Sequence, residues 1–186
     1  MITDFNFKLK FTPTEMLENR FWETIELMRS ALIPRGIVGC TDEFPAGVGH
    51  IGRALQGNQF IISGRGTSVL EELDWALYSR CYTELRDDFL IADGLIAPPW
   101  EAFLISGLLL NKSVKAKAFV ITRCGRLIPD MMVCKYNDTL VGCREVLTGT
   151  TLPREGIIGI EGVPGLIIAY GGLIDSVCIN LSNKIK

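Results

Sequence analysis

The chain has 186 residues, 48% of them apolar and 22% charged, which gives length enough for one substantial core and excludes a disordered or low-complexity protein. Nineteen basic against twenty-one acidic residues leave a formal charge of -2 with no polybasic block, so no nucleic-acid partner is expected. Mean hydropathy is +0.28, but no apolar run nears the roughly 20 residues of a membrane span, and Met1-Ile2-Thr3-Asp4-Phe5 lacks the basic and apolar regions of a signal peptide. A single domain over 1–186, cytoplasmic and without a membrane partner, is the expectation.

Phe5, Phe7, Leu9 and Phe11 alternate with polar residues and predict a half-buried strand. Thr12-Pro13-Thr14-Glu15 then reads as a capping box with proline at the first helical position, opening a helix whose face is Leu17, Phe21, Ile25, Met28 and Leu32. Residues 37–58, punctuated by glycines at 39, 47, 49, 52 and 57, read mainly as loop and turn. Phe60-Ile61-Ile62-Ser63 predicts a short buried strand, Gly64–Ser68 a tight turn, and Leu70, Leu73, Leu77 and Cys81 a helix from Val69 to about Leu85. Asp93-Gly94 signals a turn. Pro98-Pro99-Trp100-Glu101 opens an apolar helix to about Lys112, followed by a buried strand from Lys115 to Thr122. Residues 126–147 are read as strand and helix. Gly156–Ile160 and Leu166–Tyr170 flank a glycine turn and predict adjacent strands, and a last helix covers about Leu173–Leu181. That order of elements is a mixed α/β layered domain.

Six cysteines lie too far apart for a CxxC pair and read as buried free thiols, although Cys124 beside Arg123 and Arg126 would make a nucleophile if those cations faced it. The one histidine, His50, excludes sites that need two or three imidazoles. A loop histidine is ordinarily a surface residue; in Gly47-Val48-Gly49-His50-Ile51-Gly52-Arg53 it could also contact a substrate. The Gly64-Arg65-Gly66-Thr67-Ser68 turn offers backbone amides and a guanidinium to an anion, or is simply a turn. Glu101 is either a carboxylate favoured by the helix dipole or a general acid/base whose pKa is raised by an apolar pocket of Trp100 and Phe103.

Taken in order, these segments resemble the class II aldolase/adducin family of zinc-dependent sugar-phosphate aldolases and epimerases. Gly49-His50-Ile51-Gly52 stands where the family has glycine-asparagine-isoleucine-serine. Ile62-Ser63-Gly64-Arg65-Gly66-Thr67 is similar to its phosphate-gripping turn, and Pro98-Pro99-Trp100-Glu101 to its proline-serine-serine-glutamate motif. Phe119-Val120-Ile121-Thr122-Arg123 takes the place of its histidine-threonine-histidine strand, and Pro164-Gly165 that of its last histidine-glycine.

The resemblance implies a central, largely antiparallel sheet flanked by helices, and a homo-oligomer, a tetramer in the family. It puts Glu101 on the catalytic acid/base. The three zinc histidines are replaced by Ile121, Arg123 and Pro164, so no metal and no cofactor are expected. Two readings follow. Either the pocket serves a small anionic, perhaps phosphorylated, metabolite in a metal-free lyase or transferase reaction, with His50, Gly64, Arg65, Gly66, Thr67, Trp100 and Arg123 binding it; or the chain is a non-catalytic scaffold, as adducin heads are.

Overall fold

Alternation along the central strands decides the architecture. Phe60 and Ile62, Phe119 and Ile121, and Ile168 and Tyr170 face one apolar cluster, while Ile61, Ala118, Val120, Ile167 and Ala169 between them face a second. Strands with both faces covered read as continuous apolar runs, as these do. The computed structural model describes residues 8–15, 22–83, 88–124, 131–134, 139–161, 163 and 165–185. In it the strands are β1 (Lys8–Pro13), β2 (His50–Ala54), β3 (Gln59–Ser63), β4 (Tyr78–Tyr82), β5 (Phe89–Gly94), β6 (Ala118–Arg123), β7 (Met132–Cys134), β8 (Gly156–Ile160) and β9 (Leu166–Gly171). The helices are α1 (Trp22–Leu32), α2 (Glu101–Leu110), α3 (Leu140–Gly149) and α4 (Ile174–Lys184).

The nine strands form one sheet in the order β1-β5-β4-β3-β2-β6-β9-β8-β7. Only the outer pairs β1/β5 and β7/β8 are parallel, so the sheet is largely antiparallel, and α2 and α3 cover one face while α1 and α4 cover the other. This is the α/β layered, sheet-and-helix architecture expected from the sequence. Helix α2 is apolar on all sides because it is buried between the sheet and α3. No helix among the described residues is long and apolar enough to cross a membrane.

Several segments depart from the sequence reading. Thr12 and Pro13 do not cap a helix: both lie in β1, where proline is tolerated because the strand is at a sheet edge. Phe5, Phe7, Leu17 and Phe21 lie outside the described residues, as do Leu85 and Arg126. The glycine-rich 37–58 stretch contains a central strand, β2, rather than loop alone. Gly52 is needed inside it, since a Cβ there would sit 2.1 Å from the Ile61 carbonyl oxygen and 2.6 Å from the Phe119 ring.

The helix expected over 69–85 is replaced by two short 3-10 turns, Thr67–Val69 and Trp75–Leu77, and by β4. Tertiary contacts override the helical spacing. Arg29 of α1, fully buried, donates to the carbonyls of Leu70 (2.9 Å) and Glu71 (2.6 Å), and Asp74 accepts from the Ala76 amide at 3.0 Å. Glu26 completes this cluster. It pairs with Arg29 at 2.8 Å and accepts from the Leu73 amide (3.0 Å) and the Tyr78 hydroxyl (2.9 Å). Asp93-Gly94 likewise ends β5 rather than forming a free turn, with Asp93 accepting from Arg80 (3.0 Å) and Tyr82 (2.7 Å) on the neighbouring strand.

Among the described residues the later elements match the sequence reading. Pro98 and Pro99 precede α2, 126–147 contains β7 and α3, and β8 and β9 are antiparallel neighbours in the register Gly156↔Tyr170 to Gly159↔Ile167.

Candidate functional site

Strands β2 and β6 are paired so that His50 stands opposite Ile121, with Thr122 and Arg123 continuing beyond it. The Thr122 hydroxyl donates to the carbonyl of Ile37 and thereby ties the segment after α1 to the end of β6. Gly39 and Val48 exchange two backbone hydrogen bonds of 2.8 Å, closing the intervening residues into a loop. Gly49 makes this close approach possible. Its φ is +83°, and a Cβ would lie 2.6 Å from the Ile37 oxygen. The loop folds over the strand ends, and between them lies a cleft of about 350 Å³, lined by the loop residues Glu43–Gly49 together with His50, Ser68, Glu101, Ile121, Thr122, Arg123 and Leu166.

His50 is buried, contrary to the surface position ordinary for a loop histidine, because it belongs to β2 and not to a loop. Its Nδ1 lies 3.1 Å from Ser63 Oγ, which also accepts from the Ile51 amide at 3.3 Å. Burial lowers its pKa to about 4, with a hydrogen bond to the Ser63 backbone offsetting part of the shift, so the ring is neutral at neutral pH.

Glu101 begins α2 and its side chain reaches the cleft wall. Burial raises its pKa to about 7, against the opposing pull of its own backbone N–H, Arg123 and Arg65. A carboxyl group that titrates near neutrality can both give and take a proton at pH 7.

Ile121 and Arg123 line the cleft with them, and the other residues named from the sequence stand apart from its lining. The Gly64–Thr67 turn adjoins it through Ser68 but spends its donors on its own frame. Gly64 N–H donates to Leu77 O (2.8 Å), Arg65 N–H to Ala97 O (2.8 Å), and Thr67 Oγ to Gly64 O (2.8 Å). Arg65 is exposed and Trp100 packs against the apolar cluster around α2. Cys124 follows β6, half-buried. Pro164 lies outside the described residues. Ser68 belongs to the glycine turn singled out in the sequence, whereas no signal pointed to Ser63 or to the loop 43–47 beyond the glycines at 47 and 49, where that loop turns back.

Among the described residues no three His, Cys, Asp or Glu side chains gather so as to hold a metal ion.

The fold is shared with two solved structures. YgbL of Klebsiella pneumoniae, a candidate aldolase/epimerase/decarboxylase, superposes with a TM-score of 0.63 at 16% identity, over 91% of this chain and 88% of its own. YgbL of Escherichia coli, described in the same words, gives 0.59 at 11% identity, over 88% and 85%. At these identities the likeness establishes a class II aldolase-like fold. No family model matches the sequence, and neither does any curated protein.

Proposed function

We propose that this chain is a class II aldolase-like protein without the inherited zinc site, which binds a small anionic metabolite in the cleft and acts on it as a metal-independent lyase or transferase. The observation that carries this reading is Glu101: a carboxyl group held near a pKa of 7 on the wall of an open cleft, beside the guanidinium of Arg123. Glu101 takes a proton from the bound ligand or returns one to it, and Arg123 offsets the ligand's negative charge. Zinc does not suit the donor chemistry here. Ile121 offers no lone pair, and the guanidinium of Arg123 has no lone pair to give and repels a divalent cation. The scaffold reading would be favoured by a cleft plugged with apolar side chains, whereas Trp100 packs elsewhere.

A thermal-shift screen of phosphorylated and carboxylated metabolites, nucleotides and pyrimidines tests the reading. A compound at 100 times its Kd adds about 2.7 kcal/mol to native stability, which for a chain of this size raises Tm by roughly 5–10 °C. At least one anionic compound is expected to do so with wild type and to lose the effect with Arg123→Gln. A panel that leaves Tm unmoved throughout would overturn ligand binding.

A further inference from the structure

We propose that the ligand of this cleft is a small hydroxy- or keto-carboxylate anchored by its carboxylate on Arg123, and not a phosphate ester held by the Gly64–Thr67 turn. This rests on the ligand-binding reading above and narrows it.

A phosphate dianion is held by convergent, unspent donors, usually backbone amides of a glycine turn. This turn has few left. Three of its donors, the Gly64 and Arg65 amides and the Thr67 hydroxyl, close onto Leu77, Ala97 and Gly64 itself, and the Thr67 amide points to the Gly64 carbonyl at 3.3 Å. Thr67 is 2% exposed, so a ligand could reach its hydroxyl only by dismantling the turn.

The cleft proper offers a different set of groups. Arg123 is the one cation among its lining residues, and among the described residues it forms no ion pair. Glu43 stands on the loop side of the same cleft and Glu101 on the helix side. With two carboxyl groups and one guanidinium on its lining, the cleft carries no surplus positive charge, so each further negative charge on a ligand adds repulsion. The planar guanidinium fork also matches a carboxylate in two parallel hydrogen bonds.

Neutral partners complete the set. Ser68, 93% buried, lines the cleft, and its hydroxyl makes no hydrogen bond to another described residue. His50, with Nδ1 engaged by Ser63, keeps Nε2 as its remaining hydrogen-bonding atom. These two suit the hydroxyl or keto oxygens that such an acid carries beside its carboxylate, and about 350 Å³ suits a molecule of a few carbons.

The test is amide NMR titration and calorimetry on the intact chain with two matched panels. One holds glycolate, lactate, pyruvate and glycerate; the other holds phosphoglycolate, glycerol 3-phosphate and inorganic phosphate. The carboxylates are expected to shift the resonances of His50, Ser68 and Arg123. Arg123→Gln should weaken them at least tenfold and Ser68→Ala several-fold, while Arg65→Gln changes their affinity less than threefold. Unchanged amide shifts away from the cleft show that each variant is folded. Tighter binding of the phosphate panel, lost in Arg65→Gln, overturns the carboxylate anchor but leaves the cleft as a ligand site. If neither panel moves a cleft resonance, and the thermal-shift screen is also silent, the ligand-binding reading falls with it.

Discussion

Arg29→Met is expected to cost about 3–5 kcal/mol of folding stability, the largest loss from any single side chain outside the apolar core. Arg29 is fully buried, and its guanidinium is bound on every side: to Glu26 at 2.8–3.0 Å, and to the carbonyls of Leu70 and Glu71. Methionine fills the space but donates nothing. Glu26 then keeps the Leu73 amide and the Tyr78 hydroxyl but loses its only counter-charge in this cluster, and two carbonyls lose their donor. A carboxylate stranded in that way costs far more than the ion pair contributed when intact. Removing both partners, in Arg29→Met with Glu26→Leu, should therefore be less damaging than removing Arg29 alone. Urea denaturation of the three variants measures this, and a single variant within 1 kcal/mol of wild type would show that the cluster is not structural. Since Arg29 holds Leu70 and Glu71 in place, and Ser68 of the cleft lies two residues before Leu70, the same variant should also loosen the cleft floor.

Glu101→Gln should move stability and turnover in opposite directions. The folded carboxyl titrates near 7 because burial favours its neutral form, whereas in the unfolded chain it has its ordinary value of 4.5. A raised carboxyl pKa means that the folded state holds the proton more tightly. Its stabilising contribution is thus complete below pH 4.5 and is lost as pH rises through 7. At pH 8 the wild-type protein carries a buried carboxylate at a cost of about 2–3 kcal/mol. Glutamine cannot ionise, so the variant should be more stable than wild type by up to that amount at pH 8 and nearly equal to it at pH 4.5. His50 changes stability with the opposite sign in both proteins: with its pKa lowered to about 4, stability falls as pH drops below 6.5. It cancels in the comparison. Turnover, which needs a group able to exchange a proton, should fall about 10²–10⁴-fold. Urea midpoints at the two pH values check the first effect, and a Glu101→Gln variant no more stable than wild type at pH 8 would contradict it.

How much of this was legible in the sequence follows from where the determining contacts lie along the chain. Strands β8 and β9 were plain because isoleucine-rich runs flank a glycine turn, and both causes are local. Strand β2 was not, since Gly49 and Gly52 break its pattern for the benefit of Ile37, Ile61 and Phe119, whose proximity no local rule reveals. Leu70, Leu73, Leu77 and Cys81 have true helical spacing, but Arg29, forty-one residues before Leu70, takes the carbonyls of that stretch for itself. At the site, His50, Glu101 and Arg123 were visible as chemical types in motif-like surroundings, and the sheet brings them to one cleft. The 43–47 loop went unread. That loop follows the segment held by the bond between Thr122 and Ile37, which are 85 residues apart. The glycine turn illustrates the converse. Its residue types suggested an anion cradle, and only the partners of its amides, Leu77 and Ala97, reveal how its donors are used.

The account depends most on the ionisation of Glu101, and side-chain carboxyl ¹³C NMR across pH 3–9 reads that group directly in the intact protein. A midpoint near 7 is predicted, moving higher in Arg123→Gln because the guanidinium there favours the charged form. A midpoint at the ordinary glutamate value, unmoved by loss of Arg123, would contradict it: Glu101 would then be a solvated carboxylate at a helix start and not the proton-transfer group of the cleft.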